Sequence, residues 1–195
     1  MIGAVSEQTV WDVIRLYLQL GYTHILPKGL DHILFVLALF FASTRLKPLV
    51  WQISAFTVAH TLTLGLATLG AIELSGAIVE PIIALSIAFV AVESLVFRDM
   101  TRWRPAVVFV FGLFHGLGFA GVLSELGLPQ DQLAPALLSF NVGVELGQLT
   151  IVLAFWLALH RFRNAAWYPW LVRLASIGIA VAGLWWFLER TVLAG

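Results

Sequence analysis

The sequence predicts an all-α, polytopic helical membrane protein. Of the 195 residues, 61% are hydrophobic and only 11% are charged, against about 25% charged residues in an ordinary soluble domain. The apolar residues gather in six runs near the roughly 17–25 residues needed to cross about 30 Å of hydrocarbon, and none alternates with the period of a strand. The chain reads as one transmembrane domain over residues 1–195, with residues 1–28 as an interfacial helix and outer turn and residues 29–188 as a six-helix bundle.

The elements follow in order. Met1–Val10 is too polar for the apolar core of a cleavable signal. Over Glu7–Tyr22, Asp12, Arg15 and Gln19 fall at i, i+3 and i+7 on an otherwise apolar helix. A narrow polar stripe of this kind suits the membrane interface, with a seventh, tilted span as the alternative. Pro27 and Gly29 break the chain, and a short first span is expected over Gly29–Thr44. The other spans are expected over Pro48–Leu69, Gly76–Phe97, Pro105–Leu123, Leu133–His160 and Trp170–Leu188. Gly112 and Gly116, and again Gly143 and Gly147, are four residues apart, so spans four and five are expected to pack closely. Span six is polar only at its ends and reads as a peripheral, lipid-facing helix.

Loop charge gives an orientation. Arg45 and Lys47, then Arg98, Arg102 and Arg104, then Arg161 and Arg163 lie on one side. The opposite loops carry Glu73, Glu125 and Asp131, so the basic loops are expected in the cytoplasm. Lys28 is the outer-side exception, within reach of Asp31. The formal net charge of zero suggests no nucleic-acid partner. The absence of cysteine excludes disulfides, thiolate metal sites and a cysteine nucleophile.

Ionisable groups inside these spans carry the functional signal, because each costs several kcal/mol in hydrocarbon. His24, Asp31 and His32 flank the first break. They can converge on a cation at the outer mouth, or form a capped helix start. His60, with Thr57 three residues before it, lies about 18 Å along its helix from Pro48. His115, set among glycines, lies about 15 Å from Pro105, and Glu145 about 18 Å from Leu133. All three depths fall near the midplane. Asn141, Glu145 and Gln148 share one helical face by their i, i+4, i+7 spacing. Glu80 stands near the outer edge of span three and Glu93 toward the inside, the latter as a release group or a partner for Arg98. Carboxylate with imidazole suits nickel, cobalt, zinc or ferrous iron better than cuprous copper. His32 and His115 each open a half of three spans, a faint suggestion of an inverted repeat.

The stretches GLDHILFVLALF, AFTVAHTLTLGLA, VEPIIALSIAFVAVES, FVFGLFHGLGFAG and LSFNVGVELGQLTIV, together spanning about Gly29 to Val152, resemble the HupE/UreJ family of bacterial membrane proteins. Its members are associated with hydrogenase and urease gene clusters and are regarded as nickel or cobalt permeases. His24, Pro27, Gly29, Asp31 and His32 correspond to the signature that opens the family's first span. His24 and Pro27 are separated here, where hydrogenase-linked members have them adjacent, so the chain looks like the second, divergent branch. The resemblance implies a multi-pass protein of the bacterial inner membrane, with lipid, a metal ion, and metalloenzyme-maturation partners or a second copy as partners.

Two functions fit. The first is a permease for a divalent transition metal ion (nickel, cobalt or zinc class). His24, Asp31 and His32 would capture the ion, and His60, His115 and Glu145 would hold it at the midplane. Asn141, Gln148, Thr57, Glu80 and Glu93 would give support. The second is an intramembrane zinc-dependent hydrolase with His32, His60 and His115 as ligands and Asp31 or Glu145 as general base. A compact tetrahedral centre favours the enzyme, and ligands staggered along a path favour the permease.

Overall fold

The computed structural model describes residues 9–43, 45–97, 101–125 and 130–193. Expectations placed on residues 1–8, on Thr44 and Arg98, and on the Glu125 side chain fall outside the described residues. Seven α-helices make up the described chain: α1 Val10–Ile25, α2 Leu30–Phe41, α3 Leu46–Thr68, α4 Gly76–Val96, α5 Arg104–Glu125, α6 Leu133–Leu159 and α7 Tyr168–Thr191. No strand occurs among the described residues, and the fold is that of a helical membrane protein. By length and composition α3, α4, α6 and α7 can each cross a membrane, α6 together with the turn His160–Phe162 that follows it.

The first span differs from expectation. α2 has 12 residues, about 18 Å of helix, which is short of the hydrocarbon thickness. It meets α1 at 68° across the break at Leu26–Gly29, and the two together qualify as one broken span or a re-entrant loop. Thr9 and Asp12 close a reciprocal capping box at the start of α1. The stripe of Asp12, Arg15 and Gln19 is exposed as its spacing requires. The other face of α1 buries Val13, Tyr17, Gly21 and Ile25, and α1 packs along α6 rather than lying alone.

Small residues set the pairing, and here the structure corrects the expectation for spans four and five. Gly112 and Gly116 of α5 seat α3: a Cβ on Gly112 would meet the Phe56 carbonyl at 2.6 Å, and one on Gly116 would overlap the His60 carbonyl. Gly143 and Gly147 of α6 seat α1, against the Leu18 carbonyl and the Ile25 side chain. Each pair receives a different helix, because spacing encodes a flat face and not the identity of what lies on it. α7 packs on α4, with Gly183 against Ala84 and Ala88 and a Ser94–Ser176 hydrogen bond of 2.8 Å. Its other face, carrying Trp170, Leu174, Val181 and Trp185, is exposed as the lipid-facing reading required. α2 is apolar nearly all round and sits innermost, with Phe35, Val36, Ala38, Leu39 and Phe40 buried.

Candidate metal centre

The break between α1 and α2 builds the first half of the site. His24 lies in the last turn of α1 and His32 in the first turn of α2. Gly29 caps α2, and a Cβ there would overlap the His24 carbonyl oxygen. Glycine is therefore what lets the start of α2 close onto the end of α1. The two imidazole rings lie with centroids 4.9 Å apart. His60 comes from the middle of α3 and His115 from the middle of α5, and the glycine face of α5 holds those helices together. The His32 ring is 5.9 Å from His60 and 4.9 Å from His115. One ligand nitrogen from each of His24, His32 and His60 fits within a mutual distance of 4.8 Å. Phe35, Phe56, Phe119 and Phe140 wall the cluster.

Hydrogen bonds fix two of the rings. His115 Nδ1 lies 2.9 Å from the Phe111 carbonyl, which can only accept, so this nitrogen carries the proton. His60 Nδ1 lies 2.9 Å from Asn141 Oδ1. Asn141 Nδ2 donates to the Leu137 carbonyl at 2.8 Å, so its oxygen must be the atom facing His60. Nδ1 of His60 is thus also a donor. In both rings Nε2 is left as the lone-pair nitrogen, the arrangement by which outer partners orient histidines toward a metal. The Nε2 atoms of His24, His32, His60 and His115 are all buried and have no hydrogen-bond partner. Four orphaned nitrogens from four helices are costly unless something binds them. A divalent transition ion fits the donor set of His24, His32 and His60.

A cavity of about 540 Å³ leads to three of these rings. His24, His32, His115 and Phe119 line its depth, and Lys28, Asp31, Glu80, Trp186 and Arg190 stand at its rim, where α2 and α4 begin and α7 ends. The HupE / UreJ protein family model matches residues 3–190, nearly the whole chain. The chain belongs to the HupE/UreJ family. Comparison with curated proteins and with solved structures finds no match. The HupE/UreJ family is associated with nickel and cobalt transport.

Within this HupE/UreJ chain the remaining candidate residues are distributed unevenly. Asp31 neighbours the histidines in sequence but points to the rim, where both its oxygens accept from Arg190, at 3.1 and 3.2 Å. Its partner is thus Arg190 and not Lys28, because α7 delivers a guanidinium directly over the α2 start. Glu145 accepts from Ser54 at 2.5 Å, and Gln148 accepts from Thr57 at 3.3 Å. These groups tie α6 to α3 alongside the His60–Asn141 contact. Glu80 is exposed at the rim.

Glu93 is buried at the opposite end of the bundle, accepting from Arg104 at 2.8 Å and from Thr101 at 2.5 Å. Arg104 also donates to the Ala42 carbonyl at 2.9 Å. Among the described residues Arg104 is thus the ion-pair partner of Glu93, where α5 begins beside the end of α4, and the pairing expected with Arg98 lies outside the described residues. Arg190 escaped sequence reasoning. Its one signal was a basic residue at an outer helix end, contrary to the charge bias of the loops.

Proposed function

We propose that the chain is a membrane permease for a divalent transition metal ion of the nickel, cobalt or zinc class. The observation that carries this is the cluster of His24, His32 and His60, one ligand nitrogen of each within 4.8 Å of the others, with the His115 ring beside His32 and an open cavity reaching His24, His32 and His115. His24, His32, His60 and His115 receive the ion. Asn141 and the Phe111 carbonyl hold two of the rings in the binding tautomer. Asp31 and Glu80 meet the ion at the rim, while Glu145, Gln148 and Thr57 keep α3 and α6 in register. Glu93, engaged by Arg104, braces the far end. The basic loops carrying Arg45, Lys47, Arg102, Arg161 and Arg163 face the cytoplasm, so the cavity opens outward. Family membership and loop charge support a place in the bacterial inner membrane. Lipid is the chain's surroundings, and a metalloenzyme-maturation protein or a second copy is its protein partner.

The compactness of the imidazole cluster favours a second reading, an intramembrane zinc hydrolase. Such an enzyme needs a general base beside the metal-bound water. The two carboxylates suited to that role are engaged elsewhere, Asp31 by Arg190 and Glu145 by Ser54. This weighs toward cargo binding over catalysis.

Nickel or cobalt uptake into proteoliposomes tests the proposal. Uptake should be saturable in the native protein and lost in His32→Ala and His60→Ala. Uptake unchanged in both variants would overturn it, and zinc-dependent cleavage of lipid or peptide would establish the second reading.

A further inference from the structure

We infer that Arg190 is a specificity-determining residue, a tethered cation that keeps hard, oxygen-seeking ions off the rim of the cavity. This rests on the permease reading of the same site. At the rim Asp31 and Glu80 belong to two different helices, α2 and α4. Arg190, from the end of α7, lies between those helices. Its Nη2 donates to both oxygens of Asp31 at 3.1 and 3.2 Å, and its Nη1 donates to the Glu80 carbonyl at 3.2 Å. The guanidinium also rests on the Trp186 ring, 5.6 Å from its centroid. Three kinds of contact thus hold one positive charge where an incoming cation must pass.

The consequence follows from ligand preference. Magnesium, calcium and manganese are bound through oxygen, and the Asp31 carboxylate with the Glu80 carbonyl, both reached by Arg190, offers oxygen ligands at the rim. With Arg190 in place, Asp31 is already neutralised and a second positive charge is repelled. Such an ion gains little from the imidazoles below and cannot offset the loss of the ion pair. Nickel, cobalt or zinc can, because the buried Nε2 atoms wait beyond the rim. Arginine suits this role better than lysine, since its fork reaches the carboxylate and the backbone carbonyl together. The requirement to displace Arg190 therefore falls equally on all cations, while the compensation is available only to the imidazole-binding ones.

Manganese binding to the purified full-length protein, read from the loss of the free-ion electron paramagnetic resonance signal, tests this without requiring transport. Arg190→Gln should bind manganese about tenfold more tightly than the native protein, and the gain should vanish in the Arg190→Gln, Asp31→Asn double variant. Arg190→Lys, which keeps the charge, should show a smaller gain and carries the test if the glutamine variant does not purify as a single species. Unchanged manganese affinity, or a gain that survives Asp31→Asn, would overturn the inference. Nickel binding to the same samples separates the two claims. Native protein that binds no nickel, while Arg190→Gln gains manganese, would overturn the permease site and with it the selectivity, and leave only the screening of Asp31 by Arg190. Normal nickel binding without any manganese gain removes the inference alone.

Discussion

Asn141 sets the orientation of His60 across the α3–α6 contact. Its side-chain oxygen accepts the Nδ1 proton at 2.9 Å, and its amide nitrogen is fixed on the Leu137 carbonyl at 2.8 Å. The amide cannot turn over without setting its oxygen against the Leu137 carbonyl, acceptor against acceptor. Asn141→Leu removes the acceptor and frees the ring to choose the other tautomer. Metal affinity should fall about 10–100-fold, measured by titration calorimetry with nickel, while the protein remains folded by circular dichroism. An unchanged affinity would show that the ring is held by packing alone.

Glu145 and His60 separate structural from ligand roles on neighbouring helices. Glu145 sits one turn beyond Asn141 on α6, and its carboxylate takes the Ser54 hydroxyl at 2.5 Å. Glu145→Gln keeps an acceptor for that hydroxyl. It should weaken nickel retention by no more than about tenfold, the scale of one altered hydrogen bond. His60→Ala and His115→Ala should each abolish retention on a desalting column. If Glu145→Gln is as damaging as His60→Ala, the carboxylate belongs among the ligands.

Acid should release the ion. Imidazole binds a metal only through a neutral ring nitrogen, so protons and metal compete for Nε2. Retained nickel should decline as the buffer is made more acidic and return when it is neutralised. The decline should be steeper than for a single site if several of the four rings bind one ion. Retention that holds down to about pH 5 and falls only below it, in the carboxylate range, would point to carboxylate ligation.

The α1–α6 seam should be intolerant of side chains. A Cβ on Gly143 would overlap the Leu18 carbonyl, and one on Gly21 would overlap the Phe140 carbonyl. Both obstacles are backbone, which cannot swing aside. Gly143→Ala should cost about 1–3 kcal/mol in detergent unfolding, and should also loosen His24, which α1 carries. Gly178→Ala on α7, with nothing within 4 Å of the added carbon, should be neutral or slightly stabilising. Equal effects of the two substitutions would mean that the seam is not formed.

Much of this arrangement was legible in the sequence, for reasons that differ between residues. Run length and apolarity placed α3, α4, α6 and α7 within a few residues, because a bilayer admits few alternatives. Depth counting brought His60 and His115 to a common level, since helical rise is nearly constant. The break at Pro27 and Gly29 was visible, but not that it folds α1 back onto α6. The glycine pairs signalled close approach without naming the approaching helix. Arg190 and Asp31 are 159 positions apart, and no local pattern links them. Glu93 meets Arg104, eleven positions on, because the reversal between α4 and α5 brings that guanidinium alongside.

That last pair yields the strongest stability prediction. Arg104 and Glu93 are almost wholly buried, with side-chain exposures of 1% and 2%. Their contacts join the ends of α2, α4 and α5, since Arg104 also holds the Ala42 carbonyl and Glu93 the Thr101 hydroxyl. Removing one partner leaves the other charged in an apolar setting, at a cost of about 3–5 kcal/mol. Glu93→Leu and Arg104→Met should each lower the midpoint of thermal aggregation in detergent sharply. The double variant should recover most of the loss, because a buried pair replaced by apolar groups of similar volume is often near neutral. Additive losses in the double variant would show that Arg104 works through Ala42 and Glu93 through Thr101, each independently of the other. The pair lies at the far end of the bundle from the rim, so nickel affinity measured below the unfolding midpoint should be unaffected. A parallel fall in affinity would place Glu93 back on the ion's path.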